Sequence, residues 1–468
     1  MELLDQMRAT LGETYVLTGE DTAKWARDWT GKYAWTPRAV LRPADTGGLS
    51  AVAAACHAAR VAMVPVGGNT GLTGATRAEG AVMISLDRMN TVESVKPAAR
   101  VARVGGGAIL QNVHEAAAAH GLIFPLTFGA RGSATIGGAL ATNAGGSNVL
   151  RYGTTRDLCL GLEVVLPDGR VLDLMGELRK DNSGYALRQL FIGAEGTLGF
   201  ITKAALKLFE APRVRVTAMA AFARLDDTLD LLNALQAATG GAVEAFEYMP
   251  RRFIDRHIAR KGGSEPFAGR HEVNVLIEVA STRADDAAPG AEGTGSALLE
   301  LVTGTLAQAL DAGKLSDAVV AQNEAQRSAM WARREAAAEI TFLGGPIVDT
   351  DIAVPLDAVP RFLSEVAPRI TALDHGATDF VVSHLGDGNL HYTVYPTRDD
   401  AALKVAMIEV IEDVTLALGG TFSAEHGIGL SKLGSMVRRK DAAALDTMRA
   451  LKASLDPHGV MNPGKVLP

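Results

Sequence analysis

The chain has 468 residues, and its 46 Lys and Arg against 53 Asp and Glu leave a formal net charge of −7, which excludes a nucleic-acid-binding footprint. With 47% hydrophobic and 21% charged residues it is not a disordered chain, and its length allows two or three domains with cores of their own. No apolar stretch reaches the ~20 residues of a membrane span.

Only Cys56 and Cys159 are present, outside any C-x-x-C pair, which excludes a disulfide scaffold and an iron–sulfur cluster. The opening MELLDQMRAT lacks the basic start and apolar core of a secretory signal, so a reducing, cytoplasmic setting is expected.

In chain order, residues 38–75 read as a strand (38–41), a helix from 46 or 50 to 60, a strand (62–66) and a loop carrying Gly67, Gly68, Gly71 and Gly74. A further strand is predicted at 81–85, and 162–166 with 171–174 forms a hairpin around Pro167-Asp168-Gly169. Near 210–215 the composition turns from glycine-dense to charged and helical, which places a domain boundary there. Beyond it, 225–238 reads as helix and 273–279 as strand, while 283–296 reads as an exposed loop with little to bury. No internal repeat is apparent.

Two segments stand out: VPVGGNTGLTGA at 64–75 and the 29-residue stretch 125–153, which holds 7 glycines. Neither contains Asp or Glu. Backbone N–H groups at glycine, free of competing carboxylates, suit a diphosphate. Glycine loops that are merely tight turns remain the plainer reading of one such loop, but not of two together with Glu195-Gly196-Thr197-Leu198-Gly199. No G-x-G-x-x-G follows a strand and no Gly-Lys-Ser/Thr is present, so neither a Rossmann site nor a P-loop fits.

These loops resemble the FAD-binding domain of the vanillyl-alcohol-oxidase flavoproteins. The resemblance implies flavin contacts at Pro65, Gly67, Gly68, Asn69, Thr70, Gly71 and Leu72 in the first loop. In the second stretch it implies Pro125, Thr127, Ser133, Thr135, Gly137, Gly138, Thr142, Asn143 and Gly145, followed by Gly196 and Ile201. Members with covalent flavin often carry a histidine where this chain has Asn69, so non-covalent FAD is expected.

In the second half, FVVSHLGDGNLHYTVY (380–395) has the form of a hairpin with its turn at 386–389, which would set His384 opposite His391. Opposed residues have Cβ atoms ~5 Å apart, close enough for two imidazoles to share a divalent metal. Further on comes SAEHGIG (423–429), whose Glu425, thirty-four residues past His391, would complete a site with open positions for substrate. A lone histidine is more often a core residue, which is the reading preferred for His257 and His375.

HLGDGNLH, SAEHGIG and the terminal DPHGVMNPGKVL resemble the C-terminal domain of FAD-linked oxidases, the D-lactate and D-2-hydroxyglutarate dehydrogenase group that includes the glycolate oxidase FAD subunit. The resemblance runs from about residue 38 to 468. It implies that His384, His391 and Glu425 bind Zn²⁺ or another divalent metal, that His426 is the catalytic base, and that Asn462 lies near the flavin. Asn389 and Thr393, on the same hairpin, are candidate substrate-binding residues.

On a helix predicted over 324–340, Arg327, Trp331, Arg334 and Ala338 share a face. MWARRE resembles the group's W-x-x-R pattern, whose arginine, here Arg334, grips the substrate carboxylate; Arg333 reads as a solvated helix charge. Two departures matter. Ala338 stands where hydroxyglutarate-type members carry a threonine, and Asp349 where they carry a lysine that would hold a second carboxylate. D-lactate or an apolar D-2-hydroxy acid gains by this.

The expected fold is α+β: a lead-in over 1–37, a two-subdomain FAD-binding domain over 38–212, a substrate domain with a helix-flanked antiparallel sheet over 213–425, and a C-terminal return over 426–468. The expected reaction is oxidation of a D-2-hydroxy acid to the 2-oxo acid, with His426 taking the hydroxyl proton and flavin N5 the Cα hydride. A base that must start neutral loses activity below its pKa, nominally ~6.5. Expected partners are the small-molecule acid and an electron acceptor such as a quinone or an electron-transfer flavoprotein, with a homodimer as the assembly. A flavin-free metal-dependent hydrolase and a non-catalytic flavin subunit are the competing readings; the first leaves the acid-free glycine loops unexplained.

Overall fold

The computed structural model describes residues 2–291 and 295–468, which form two compact units. One comprises 2–145, 153–211 and 425–468; the other comprises 146–152, 212–291 and 295–424.

The first unit contains a four-stranded sheet in the order Val16–Leu17, Ala39–Leu41, Val82–Ser85, Met63–Val66. Beside it lies a five-stranded antiparallel sheet in the order Val92–Lys96, Val101–Gly105, Phe200–Lys207, Cys159–Val165, Val171–Leu174. The Thr46–Ala58 helix starts where the Asp45 carboxylate accepts the Gly48 N–H at 2.8 Å. Its Leu49, Val52, Ala53 and Cys56 recur at helical spacing and pack with Leu41, Met63, Val82 and Ile84 in one core. Val40, Val64, Val66 and Met83, at alternate positions of the same strands, pack with Trp25 and Trp35 instead.

The C-terminal return is part of this unit. Met461 bridges Met63 at the edge of the four-stranded sheet, through Met63 N–H to Val460 O and Asn462 N–H to Met63 O, both 2.7 Å. Lys452, on the Ala442–Leu455 helix, donates to Thr197 O, Met461 O and Asp456, which ties the return to the EGTLG segment.

The second unit is built on a seven-stranded antiparallel sheet in the order Asp317–Val320, Val214–Phe222, Val273–Ser281, Val243–Pro250, Thr378–His384, Asn389–Tyr395, Val348–Ala353. Alternation divides its residues between two faces. Phe222, Phe246, Ile277, Val381, Leu390 and Tyr392 share a core with buried residues of the helices Thr228–Thr239, Ala297–Asp311, Val359–Leu373 and Ala401–Ala417. Met219, Met249, Leu276, Phe380 and Val382 face the Arg251–Lys261, Glu324–Glu335 and Ala337–Thr341 helices.

Several expectations change. The hairpin turns through 385–388, so that His384 pairs with Asn389 and His391 with Val382, not His384 with His391. Asp387 fixes this register by accepting the Asn389 N–H at 3.1 Å. The shift is two residues, so the two histidines keep the same face as diagonal neighbours. The helix predicted over 324–340 ends at Glu335 and restarts at Ala337, which separates Ala338 from the Arg327–Trp331–Arg334 face.

The 283–296 loop contains a helical turn, Ala284–Ala287, and a Pro289–Ser296 bridge; its residues 292–294 lie outside the described residues. The second glycine-rich stretch is not one loop. It contains the Ile136–Thr142 helix, and its 146–152 portion, with the Val149–Tyr152 helix, belongs to the second unit. Arg151 and Tyr152 there reach Glu244 at 3.0 and 2.6 Å.

Candidate active site

In the second unit one sheet face gathers the polar residues. Glu247, on a strand otherwise almost wholly apolar, lies opposite His384 in register and is 1% exposed. Its carboxylate accepts the Arg334 Nε–H at 2.7 Å and lies 2.9 Å from His384 Nδ1. Burial pushes the Glu247 carboxyl up, but His384 and Arg334 outweigh it and hold the group below the usual carboxylate range.

An imidazole that gives Nδ1–H to a carboxylate presents its Nε2 lone pair outward, the arrangement of a metal-binding histidine. The Arg334 Nη2 lies 3.5 Å from the same Nδ1, at the limit of contact. The His384 and His391 rings are 5.4 Å apart, nearly perpendicular, and His391 Nδ1 lies 3.8 Å from the buried Asp351. The side chains of Asn389 and Thr393 are engaged by protein: Asn389 Nδ2 donates to Asp351 Oδ1 and Ile352 O, both 2.9 Å, and the Thr393 hydroxyl donates to Asp349 at 2.8 Å. Arg327 and Trp331, on Arg334's helix, donate to the buried Glu278.

In the first unit a cleft is lined by Pro65, Gly67, Gly137, Gly138, Thr142, Gly196 and Ile201 of the expected flavin set, and by Ala75, Thr76, Glu195 and Phe200 among others. The two glycine-rich segments meet there. A Cβ at Gly68 would lie 2.1 Å from Ser133 O, which only glycine avoids. Thr135 caps the Ile136–Thr142 helix, Asn69 joins Arg27 O to Thr76, and the Asn143 side chain accepts the Arg156 N–H. Pro125 and Gly145 are buried, and Thr70, Leu72 and Thr127 half-buried.

Asn462 Nδ2 donates to Ala75 O and Glu195 O, at 3.2 and 2.8 Å, while its buried Oδ1 has no partner among the described residues. That orphaned acceptor and the glycine cradle fit a cofactor with an N–H to offer. Glu425 and His426 also belong to this unit, 3.8 Å apart through Glu425 Oε1 and His426 Nε2. Sequence reasoning missed Glu195, Glu247 and Asp351. The signal for Glu247 was a carboxylate inside a strand, VEAFEYMP, that is otherwise mostly apolar; Asp351 gave none, because its strand, VDTDIA, is itself polar.

p-Cresol methylhydroxylase with substrate bound matches with a TM-score of 0.75 at 14% identity, covering 99% of this chain and 96% of that one. 4-Ethylphenol oxidase from Gulosibacter chungangensis matches at 0.72 and 16% identity, over 100% of this chain and 97% of that one. The fold is that of the vanillyl-alcohol-oxidase-type FAD flavoproteins, α+β in class.

Within that class, the FAD linked oxidases, C-terminal domain, matches residues 211–466 and an FAD binding domain matches 37–175. The chain belongs to the FAD-linked oxidase family. It is 37% identical over 458 residues to a D-2-hydroxyglutarate dehydrogenase of Xanthomonas citri pv. viticola, covering 95% of this chain and 92% of that protein. The mitochondrial D-2-hydroxyglutarate dehydrogenase of Bos taurus is 35% identical over 442 residues, covering 94% and 79%. Among the described residues no helix is long and apolar enough to cross a membrane.

Proposed function

We propose that this chain oxidises a D-2-hydroxy acid to the 2-oxo acid as an FAD-dependent dehydrogenase. The observation that carries the reading is the Arg334–Glu247–His384 array: a buried guanidinium suited to a carboxylate beside an imidazole oriented through Nδ1 by the same buried Glu247, as metal-binding histidines are.

FAD, held non-covalently by the two glycine-rich segments with Gly196 and Asn462, supplies the two-electron acceptor for the Cα hydride. His384, His391 and Glu425 would hold Zn²⁺ or another divalent ion, which would acidify the substrate hydroxyl. Arg334 binds the substrate carboxylate, and His426 takes the hydroxyl proton on its imidazole. The substrate thus gives up one hydride and one proton.

The names of the relatives favour D-2-hydroxyglutarate. Asp349 and Ala338 favour an acid without a second carboxylate, D-lactate among them. The electrons then pass to a quinone or an electron-transfer flavoprotein, in a homodimeric, cytoplasmic enzyme. The test is a dye-linked assay with D-lactate, L-lactate and D-2-hydroxyglutarate, on wild type and His426→Asn. Turnover of a D-acid alone, lost in the variant, is expected; equal turnover of L-lactate, or an unimpaired variant, contradicts the reading.

A further inference from the structure

Glu195 is a buried carboxylate, 6% exposed, for which the reaction above gives no role. Its backbone has a φ of +50°, a left-handed conformation that a glutamate adopts only where its surroundings dictate it. Those surroundings are three segments of the first unit. Its N–H donates to Ala141 O at 2.7 Å, in the Ile136–Thr142 helix of the second glycine stretch, and its C=O accepts Asn462 Nδ2 at 2.8 Å, from the C-terminal return. Its carboxylate accepts two backbone N–H groups in succession, Ile428 on Oε1 at 2.6 Å and Gly429 on Oε2 at 2.8 Å.

Those two amides end the Glu425-His426-Gly427-Ile428-Gly429 run, which forms no regular helix or strand. Ile428 and Gly429 are therefore held by the carboxylate, not by a ladder. The next two N–H groups, of Leu430 and Ser431, both go to Thr73 O at 2.8 and 3.1 Å. Gly427 and Gly429 have φ of +78° and +50°; a Cβ would lie 2.7 Å from Glu195 Oε1 at the first and 2.3 Å from Thr73 O at the second. The run lies directly on these two acceptors, with no room for side chains between.

We infer that Glu195 is the positioning residue for His426: by fixing the N–H groups of Ile428 and Gly429 it sets the backbone at Gly427 and so the direction in which the preceding imidazole projects. The inference rests on the assignment of His426 as the base. The two carboxyl oxygens accept one amide each, whereas a glutamine would turn an NH₂ toward one of them. A base displaced by ~1 Å costs on the order of 10²-fold in rate.

The test uses flavin-loaded full-length protein, with Glu195→Gln, His426→Asn and the double variant. Glu195→Gln is expected to lower kcat per bound flavin at least ~10-fold with little change in KM, and to lower it no further in the His426→Asn background. Hydrogen exchange should speed at least ~10-fold in 425–431 and stay unchanged elsewhere in the unit. Equal losses in both backgrounds, unchanged kcat per flavin, or unchanged exchange in 425–431 each overturns the inference. His426→Asn at full activity removes the base assignment itself, and the inference with it. If Glu195→Gln does not fold, Glu195→Asp, charged but too short for both amides, is held to the same outcomes.

Discussion

The carboxylate of Glu247 holds two side chains of the proposed site at once, Arg334 and His384, so its neutral isostere gives a measurable prediction. Glu247→Gln keeps the shape but removes the acceptor's negative charge from two hydrogen bonds, to Arg334 Nε and His384 Nδ1. Charged hydrogen bonds contribute ~1.5–3 kcal/mol and neutral ones ~0.5–1.5, so the change removes about 1 kcal/mol per bond and ~2 kcal/mol in all, or ~30-fold. That falls within the ~10–100-fold that loss of a partner behind a metal-bound histidine costs.

The assay is metal affinity of the flavin-loaded protein by competition with a chelator, alongside kcat/KM for the D-acid. Both should fall ~30-fold with flavin content unchanged. Glu247→Ala should do worse. Arg334, only 8% exposed, would lose its hydrogen-bond acceptor as well as its counter-charge, at a cost of ~3–5 kcal/mol, and the second unit should unfold at a clearly lower temperature. Metal affinity and kcat/KM within twofold of wild type in Glu247→Gln would refute the reasoning.

Asp349→Asn should raise kcat/KM for D-2-hydroxyglutarate relative to D-lactate ~5–10-fold, since it removes a negative charge from the face that carries His391; an unchanged ratio would show that Asp349 does not sense the substrate. Lys465 is pulled down to about 8 by burial and then by Arg77. Its depressed pKa means that the unfolded chain binds the extra proton between pH ~8 and ~10.4, so stability rises across that window. Lys465→Met should therefore have the higher Tm at pH 7, and the gap should narrow by pH 10; a gap independent of pH would contradict the assignment. Trp331→Phe removes the indole donor 2.8 Å from Glu278 and should cost ~1.5–3 kcal/mol, read as a Tm lower by several degrees at unchanged flavin content.

What the sequence revealed and what it hid divide along physical lines. The helix Thr46–Ala58 and the strands around it were legible because apolar spacing and a capping aspartate act locally. The glycine cradle was legible because the absence of acids is itself a compositional signal. The hairpin was legible as a hairpin but not in its register, which depends on Asp387 bonding to the Asn389 N–H and on the Asn389 side chain reaching Asp351. Glu247 and Glu195 were illegible because their partners lie far along the chain: His384 is 137 residues from Glu247, and Ile428 is 233 from Glu195. A buried carboxylate in an apolar strand signals that a partner exists without saying which.

The central claim is that a D-2-hydroxy acid reduces a flavin bound by this chain. It is tested most directly by the anaerobic visible spectrum of the purified protein, taken before and after one equivalent of D-lactate, L-lactate or D-2-hydroxyglutarate in separate cuvettes. Flavin absorbance bleached by a D-acid and untouched by the L-acid is the expected result. A protein without flavin, or a flavin that none of these acids bleaches, would contradict it.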